Sequence, residues 1–167
     1  MRDWSEYKDT FNLSEDIFQL ARSGEVNKLR EFIDSNLELD INQKNHKGYS
    51  PLMISAYNSN SEASALLLER GADPNSTDLS GNTVLMGAAF KGDANLVRLL
   101  ISQGSQKDLK NQQGLTAKEW ASAFGRTNVV STLTMSEVNH SKFQNMVNAV
   151  KIIWGFLKPT SRKEATV

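Results

Sequence analysis

Three glycines, Gly48, Gly81 and Gly114, stand 33 residues apart, and the residues around them repeat in phase. Asn45-His46-Lys47-Gly48-Tyr49-Ser50-Pro51-Leu52 aligns with Asp78-Leu79-Ser80-Gly81-Asn82-Thr83-Val84-Leu85, and Asn111-Gln112-Gln113-Gly114-Leu115-Thr116-Ala117 follows with a weaker ending. A fixed period of this length means small units that cannot bury an apolar face alone and must stack to make a core. Stacks of this kind present extended surfaces to other macromolecules, so the period constrains function before any single residue does.

Further positions keep the same phase. Ala89-Phe90-Lys91-Gly92-Asp93 matches Ser122-Ala123-Phe124-Gly125-Arg126 and, more loosely, Ala56-Tyr57-Asn58-Ser59-Asn60. Leu96–Ile101 matches Ala63–Leu68 and Val129–Leu133, and Glu69-Arg70-Gly71-Ala72-Asp73-Pro74-Asn75 closes one unit. A degenerate earlier unit begins at Ala21-Arg22-Ser23-Gly24-Glu25, with two extra residues in its connection near Leu37–Asn42. Each unit reads as two short antiparallel helices and a loop. Thr83 is the expected N-cap of a helix over Val84–Phe90, and Gly92 is expected to end it in the left-handed region. Asp93 is expected to cap a second helix carrying the apolar stripe Leu96, Val97, Leu99, Leu100 and Ile101. Ala56, Ala88, Ala89 and Ala121 suit the close approach of stacked helices.

These residues resemble the ankyrin repeat, whose pattern runs from an Asp–Gly loop through a Thr-Pro-Leu helix start to a closing Gly-Ala-Asp. Residues 45–77 and 78–110 match well, 111–133 match the first two thirds, and 14–44 match as an atypical first repeat. The resemblance implies an all-α fold, an ankyrin-repeat solenoid of about four helix-turn-helix repeats. The expected organisation is an N-terminal extension or cap over 1–13, repeats over 14–133, a C-terminal helix over 134–159 and a disordered tail over 160–167. Where the family carries His after Pro-Leu, this chain has Met53, Met86 and Glu119, which puts the usual turn-to-helix hydrogen bonds in doubt. Ala117-Lys118 replaces Pro-Leu in the last repeat, as suits a terminal unit with a partly solvated outer face.

Lys+Arg and Asp+Glu balance at 19 each, which argues against a dedicated nucleic-acid or membrane binder. Residues 1–40 hold ten acids and five bases, and 134–167 hold five bases and two acids, so charge is uneven along the chain. There is no cysteine, and hence no disulfide, thiol nucleophile or Cys-based metal site. Met1-Arg2-Asp3-Trp4 opens without an apolar signal core. The expected location is cytoplasmic, or the bacterial periplasm if a signal peptide has been removed. No apolar run approaches the roughly 18 residues a membrane span needs.

Both ends carry apolar stripes. Trp4, Tyr7 and Phe11 lie at i, i+3 and i+7, as an end cap or a docking arm would. Phe143, Met146, Val147, Val150, Ile153, Trp154 and Leu157 follow a helical period that Pro159 ends, flanked by Lys142, Lys151 and Lys158. Capping the last repeat is the plain reading of this helix, and dimerisation is the alternative, since Trp154 and Phe156 fall on different faces. Three flanking lysines are few for an interfacial membrane helix.

No catalytic constellation is present. His46 and His140 have no second ligand at helical spacing, and no nucleophile elbow or phosphate-binding glycine loop occurs. No enzymatic activity, cofactor or metal is expected.

The resemblance implies that a partner protein binds the concave face, built from the loop tips and the ends of the first helices. Carried onto this chain, the candidate partner-binding residues are Arg22, His46, Lys47, Tyr49, Tyr57, Asn58, Leu79, Asn82, Phe90, Lys91, Leu115 and Phe124. Tyr57 and Phe90 share one slot in neighbouring repeats, with Phe124 one residue further on and Tyr49 joining them. Clustered aromatics of this kind either form an interface hot spot or lean inward and fill the groove between repeats. Arg22, Lys47 and Lys91 add positive charge, which suits a partner with an acidic or polar rim. Ala88-Ala89-Phe90-Lys91-Gly92 resembles small stand-alone bacterial ankyrin proteins, some of which are inhibitors or immunity proteins. The partner is thus expected to be a protein, with an enzyme as its narrower form, and the chain a monomer unless the C-terminal helix pairs two copies.

Overall fold

The computed structural model describes residues 16–135. The expectations for 1–13, for the helix beyond 135 and for the tail over 160–167 lie outside the described residues. The stack lies within a compact unit that ends at Leu133.

Seven helices follow one another: α1 (Ile17–Ser23), α2 (Val26–Ser35), α3 (Pro51–Tyr57), α4 (Ser61–Glu69), α5 (Val84–Lys91), α6 (Ala94–Ser102) and α7 (Ala117–Ala123). An eighth helical stretch, α8, covers 127–135. Among the described residues the one β feature is an isolated antiparallel bridge between Thr77 and Thr83. The odd-numbered helices α1, α3, α5 and α7 pack in sequence on one another, and α2, α4 and α6 form a second row behind them.

Each odd-numbered helix begins at a residue whose side chain accepts a free backbone N–H. Asp16 accepts from Gln19, Ser50 from Met53, Thr83 from Met86 and Thr116 from Glu119. These four caps hold extended backbone before the turn, the geometry that favours Ser, Thr and Asp there. Pro51 follows Ser50 at the first helical position, where its missing N–H costs nothing. Gly92 ends α5 at φ 84° with its N–H on the carbonyls of Ala88 and Ala89. Asp93 caps α6 through the N–H groups of Asn95 and Leu96.

The loop before each of α3, α5 and α7 is built by an Asn or Asp three residues ahead of the repeat glycine. Asn45 Oδ1 accepts from the N–H of Lys47 and Tyr49, each at 3.0 Å. Asp78 repeats this with Ser80 and Asn82, and Asn111 with Gln113 and Leu115. The chain then reverses at Gly48, Gly81 and Gly114, with φ of 78°, 74° and 77°, a region that a Cβ disfavours. At Gly48 a Cβ would also meet the Leu79 backbone N at 2.8 Å.

Between repeats, Asn42 donates to the Gly71 carbonyl and accepts from the Asp73 N–H. One period later Asn75 donates to the Gly104 carbonyl and accepts from the Gln106 N–H. The core runs through the middle of the stack, with Leu52, Met53, Ala56, Leu85, Met86, Ala88 and Ala89 sealed from water. The alanines at 56, 88, 89 and 121 are wholly buried. One polar pair lies inside this core, Ser55 Oγ and Ser64 Oγ at 2.7 Å, satisfied as burial requires.

Candidate partner-binding face

The aromatic residues of the tips and odd-numbered helices form one continuous row. Tyr49 and Tyr57 have ring centroids 6.0 Å apart, Tyr57 and Phe90 6.4 Å, and Phe90 and Phe124 4.7 Å in edge-to-face contact. Trp120 completes the row, 6.0 Å from Phe90 and 5.6 Å from Phe124. Tilted and edge-to-face pairs at these spacings are mutually attractive. The row thus stiffens three consecutive repeats across their junctions.

The rings lean inward between repeats without being wholly enclosed. Tyr49, Tyr57, Phe90 and Trp120 are half-buried, so they fill space between repeats while keeping an edge in solvent. Phe124, at the end of the row, is 48% exposed. Tyr57 lies against Gly87 of the next repeat, where a Cβ would come within 3.2 Å of its Cε2. The glycine therefore leaves the room this ring occupies. Burial, with lesser contributions from the Asp78 carboxylate and Tyr49, pushes the Tyr57 phenol up to about 12, which keeps it neutral.

Trp120 is the member of the row that the sequence reading missed. Its signal was present: Trp120 falls one period after Gly87 and four residues before Phe124, the spacing that puts two side chains on one helix face. The same slot holds Ile54 and Gly87 in the preceding repeats, neither aromatic, so the repeat pattern does not mark the ring. Its indole nitrogen is buried and meets no acceptor among the described residues.

The other candidate residues flank the row. His46 and Lys47 are exposed on the first complete tip, and Leu79, on the next tip, is 70% exposed. Leu115 is half-buried on the third tip. Arg22 occupies the Tyr57 slot of the first repeat and is exposed, as are Asn58 and Lys91. Asn58 turns its amide back onto the Ile54 carbonyl at 2.8 Å. Asn82 is largely committed to the scaffold: it donates to Asp78 at 2.9 Å and accepts from Asn111 at 2.7 Å.

The doubt over the missing histidine is resolved at Glu119 and Met86 in different ways. Glu119 Oε2 accepts from both the N–H and the hydroxyl of Thr116, at 2.7 and 2.9 Å, so it closes the start of α7 in a reciprocal cap. These bonds hold its carboxyl below the usual carboxylate range. Met86 sulfur, at 3.4 Å from the Thr83 N–H, makes a weaker version of the same contact.

Stacked helix pairs, glycine-reversed tips and matching caps at one period are the architecture that sequence comparison then identifies. A family model described as ankyrin repeats (3 copies) matches residues 70–144, and one described as ankyrin repeats (many copies) matches 36–85. The chain belongs to the ankyrin repeat family. A Rickettsia felis protein whose name describes it as an ankyrin repeat protein is 34% identical over 62 residues, 37% of this chain. That match spans 20% of the Rickettsia protein's length, so the likeness covers a stretch of ankyrin repeats rather than the whole of either chain. Ankyrin repeats in general are non-enzymatic modules for protein–protein interaction. Among the described residues of this ankyrin stack, no group of three or more His, Asp or Glu could hold a metal ion. No described helix is long and apolar enough to cross a membrane.

Proposed function

We propose that this chain is a rigid interaction module that binds a folded protein through the face carrying Tyr49, Tyr57, Phe90, Trp120 and Phe124. The observation that carries the reading is the unbroken row of ring contacts across three repeats, with one edge of the row in solvent. Aromatics held in place by neighbours lose little entropy on binding, and this is the composition of interface hot spots. Leu79 and Phe124, the exposed apolar residues at a tip and at the end of the row, extend the surface. A narrower form of the reading makes the chain an inhibitor or immunity-type regulator of an enzyme in the cytoplasm. It rests on the likeness of the Ala88–Gly92 phrase alone.

The test is affinity capture from the native cells with the wild-type chain and with Leu79→Ser/Phe124→Ala. Leu79 is 70% exposed and Phe124 ends the row, so the variant should keep the fold with only a small drop in melting temperature. Loss of a stoichiometric partner with the fold retained supports the reading; full retention of the partner overturns it. Tyr57→Ala/Phe90→Ala probes the centre, with loss of about 2 kcal/mol or more in affinity if both are hot spots. The alternative, a structural protein that self-associates through the C-terminal helix, concerns residues outside those described. Light scattering of the chain truncated after Ser136 tests it.

A further inference from the structure

The cations around the aromatic row differ from the acids nearby in one respect. The acids are occupied. Asp16 accepts from Gln19, and Asp78 takes N–H groups of Ser80 and Asn82 together with the Asn82 amide. Asp93 gives one oxygen to the N–H groups of Asn95 and Leu96 and the other to the Ser61 hydroxyl at 2.7 Å. Glu119 is held by Thr116, and Glu25 is paired with Lys28 at 2.7 Å. The remaining acids of the helices, Glu31, Asp34, Glu62 and Glu69, stand on α2 and α4, in the second row, and Asp34 is paired with Arg70.

The cations are not so engaged. Arg22, Lys47, Lys91 and Arg126 are all exposed, and among the described residues none is paired with a carboxylate. Arg22 continues the Tyr57–Phe90 slot into the first repeat, Lys47 stands at a tip beside Tyr49, and Lys91 follows Phe90. Arg126 is the most defined of them. Its Nε donates to the Phe90 carbonyl at 2.9 Å, and its Cδ lies 3.0 Å from where a Gly92 Cβ would sit. One edge of the guanidinium is thereby fixed against the row, while its Nη groups have no partner among the described residues. A guanidinium already oriented in this way loses less freedom when it takes a carboxylate in its fork.

We infer that the partner presents an acidic surface, apolar at its centre and ringed by carboxylates, with Arg126 and Lys91 as the residues that select it. The inference rests on the aromatic row being the binding face. Exposed cations of one sign around a rigid apolar centre attract an oppositely charged rim and reject a basic one, and they speed encounter at low salt.

The probe is a pair of fluorescein-labelled synthetic peptides with the same Phe and Trp residues, one flanked by Glu and its twin by Lys. Anisotropy is read with the full chain at low and at physiological salt. The Glu peptide is expected to bind about tenfold or more tighter than its twin, with the difference shrinking as salt screens the rim. Arg126→Glu/Lys91→Glu is expected to abolish the preference. Lys47→Glu, on an exposed tip, should weaken it without touching any helix, which guards against a fold defect in the double variant. Equal binding of the twins, or a preference that the reversals leave intact, overturns the inference. If that equal binding is lost in Phe124→Ala, the charge inference falls while the aromatic face stands. Binding of neither peptide overturns the inference, and the capture experiment then decides the face separately.

Discussion

The interior repeats and the last described repeat solve one packing problem with different residues at the same slots. Where the interior units have Leu52 and Leu85, the last has Lys118; Met53 and Met86 become Glu119, and Ala56 and Ala89 become Ser122. The interior residues at these slots are wholly or almost wholly buried, whereas Glu119 and Ser122 are exposed and Lys118 half-buried. An interior helix has a described neighbour on both sides and needs apolar residues around most of its circumference, while among the described residues the last has a repeat on one side only. The same backbone thus carries a buried helix in one place and an amphipathic one in the other, and the residue exchange follows the lost neighbour.

That contrast is open to direct attack. The largest expected effect is Leu85→Ala, which should remove about 2–5 kcal/mol from unfolding in denaturant, whereas Lys118→Ala at the same slot should cost at most about 1 kcal/mol. Equal losses would mean that the last helix is as enclosed as α5. Next comes Gly87→Leu, expected to cost about 1–3 kcal/mol by driving a side chain into the Tyr57 ring. Combining it with Tyr57→Ala should recover part of that loss, and a double-mutant cycle without coupling would break the link between the two repeats.

A smaller effect is expected at the caps. Thr116→Ala should cost about 1 kcal/mol and should also flatten the acid limb of the stability profile. The sign follows from Glu119: its folded pKa lies below its ordinary value because of Thr116. Its contribution is therefore present above the unfolded value and lost as pH falls through the folded one. The smallest effect at neutral pH belongs to Tyr57. Its phenol rises from 10.0 to about 12, so folding favours the protonated form, and this contribution is lost only as pH climbs from 10.0 through about 12. Ultraviolet titration should show a late-ionising tyrosine that Tyr57→Phe removes.

Much of the fold was legible because the features that set it are local. The left-handed glycines, the Thr83 and Asp93 caps and the apolar stripes of the second helices each depend on a few consecutive residues, and α5 runs one residue past its expected end. The candidate site was legible in outline: Tyr49, Tyr57, Phe90 and Phe124 do meet. Asn82 was singled out for its exposed slot, yet its amide holds two tips together. A slot number fixes where a residue sits but not what its side chain reaches.

The sequence by itself determined the period, the helix starts and stops, and which repeat is written for solvent on its outer side. These follow from steric limits on φ and from hydrogen bonds spanning two to four residues. Only the tertiary structure decided that Gly87 makes room for Tyr57, that Trp120 joins the row and that Arg126 is tethered to the Phe90 carbonyl. Each of these contacts joins residues 30 or more apart across the junction of two repeats. Their geometry is set by how closely neighbouring helices stack, which no local pattern encodes.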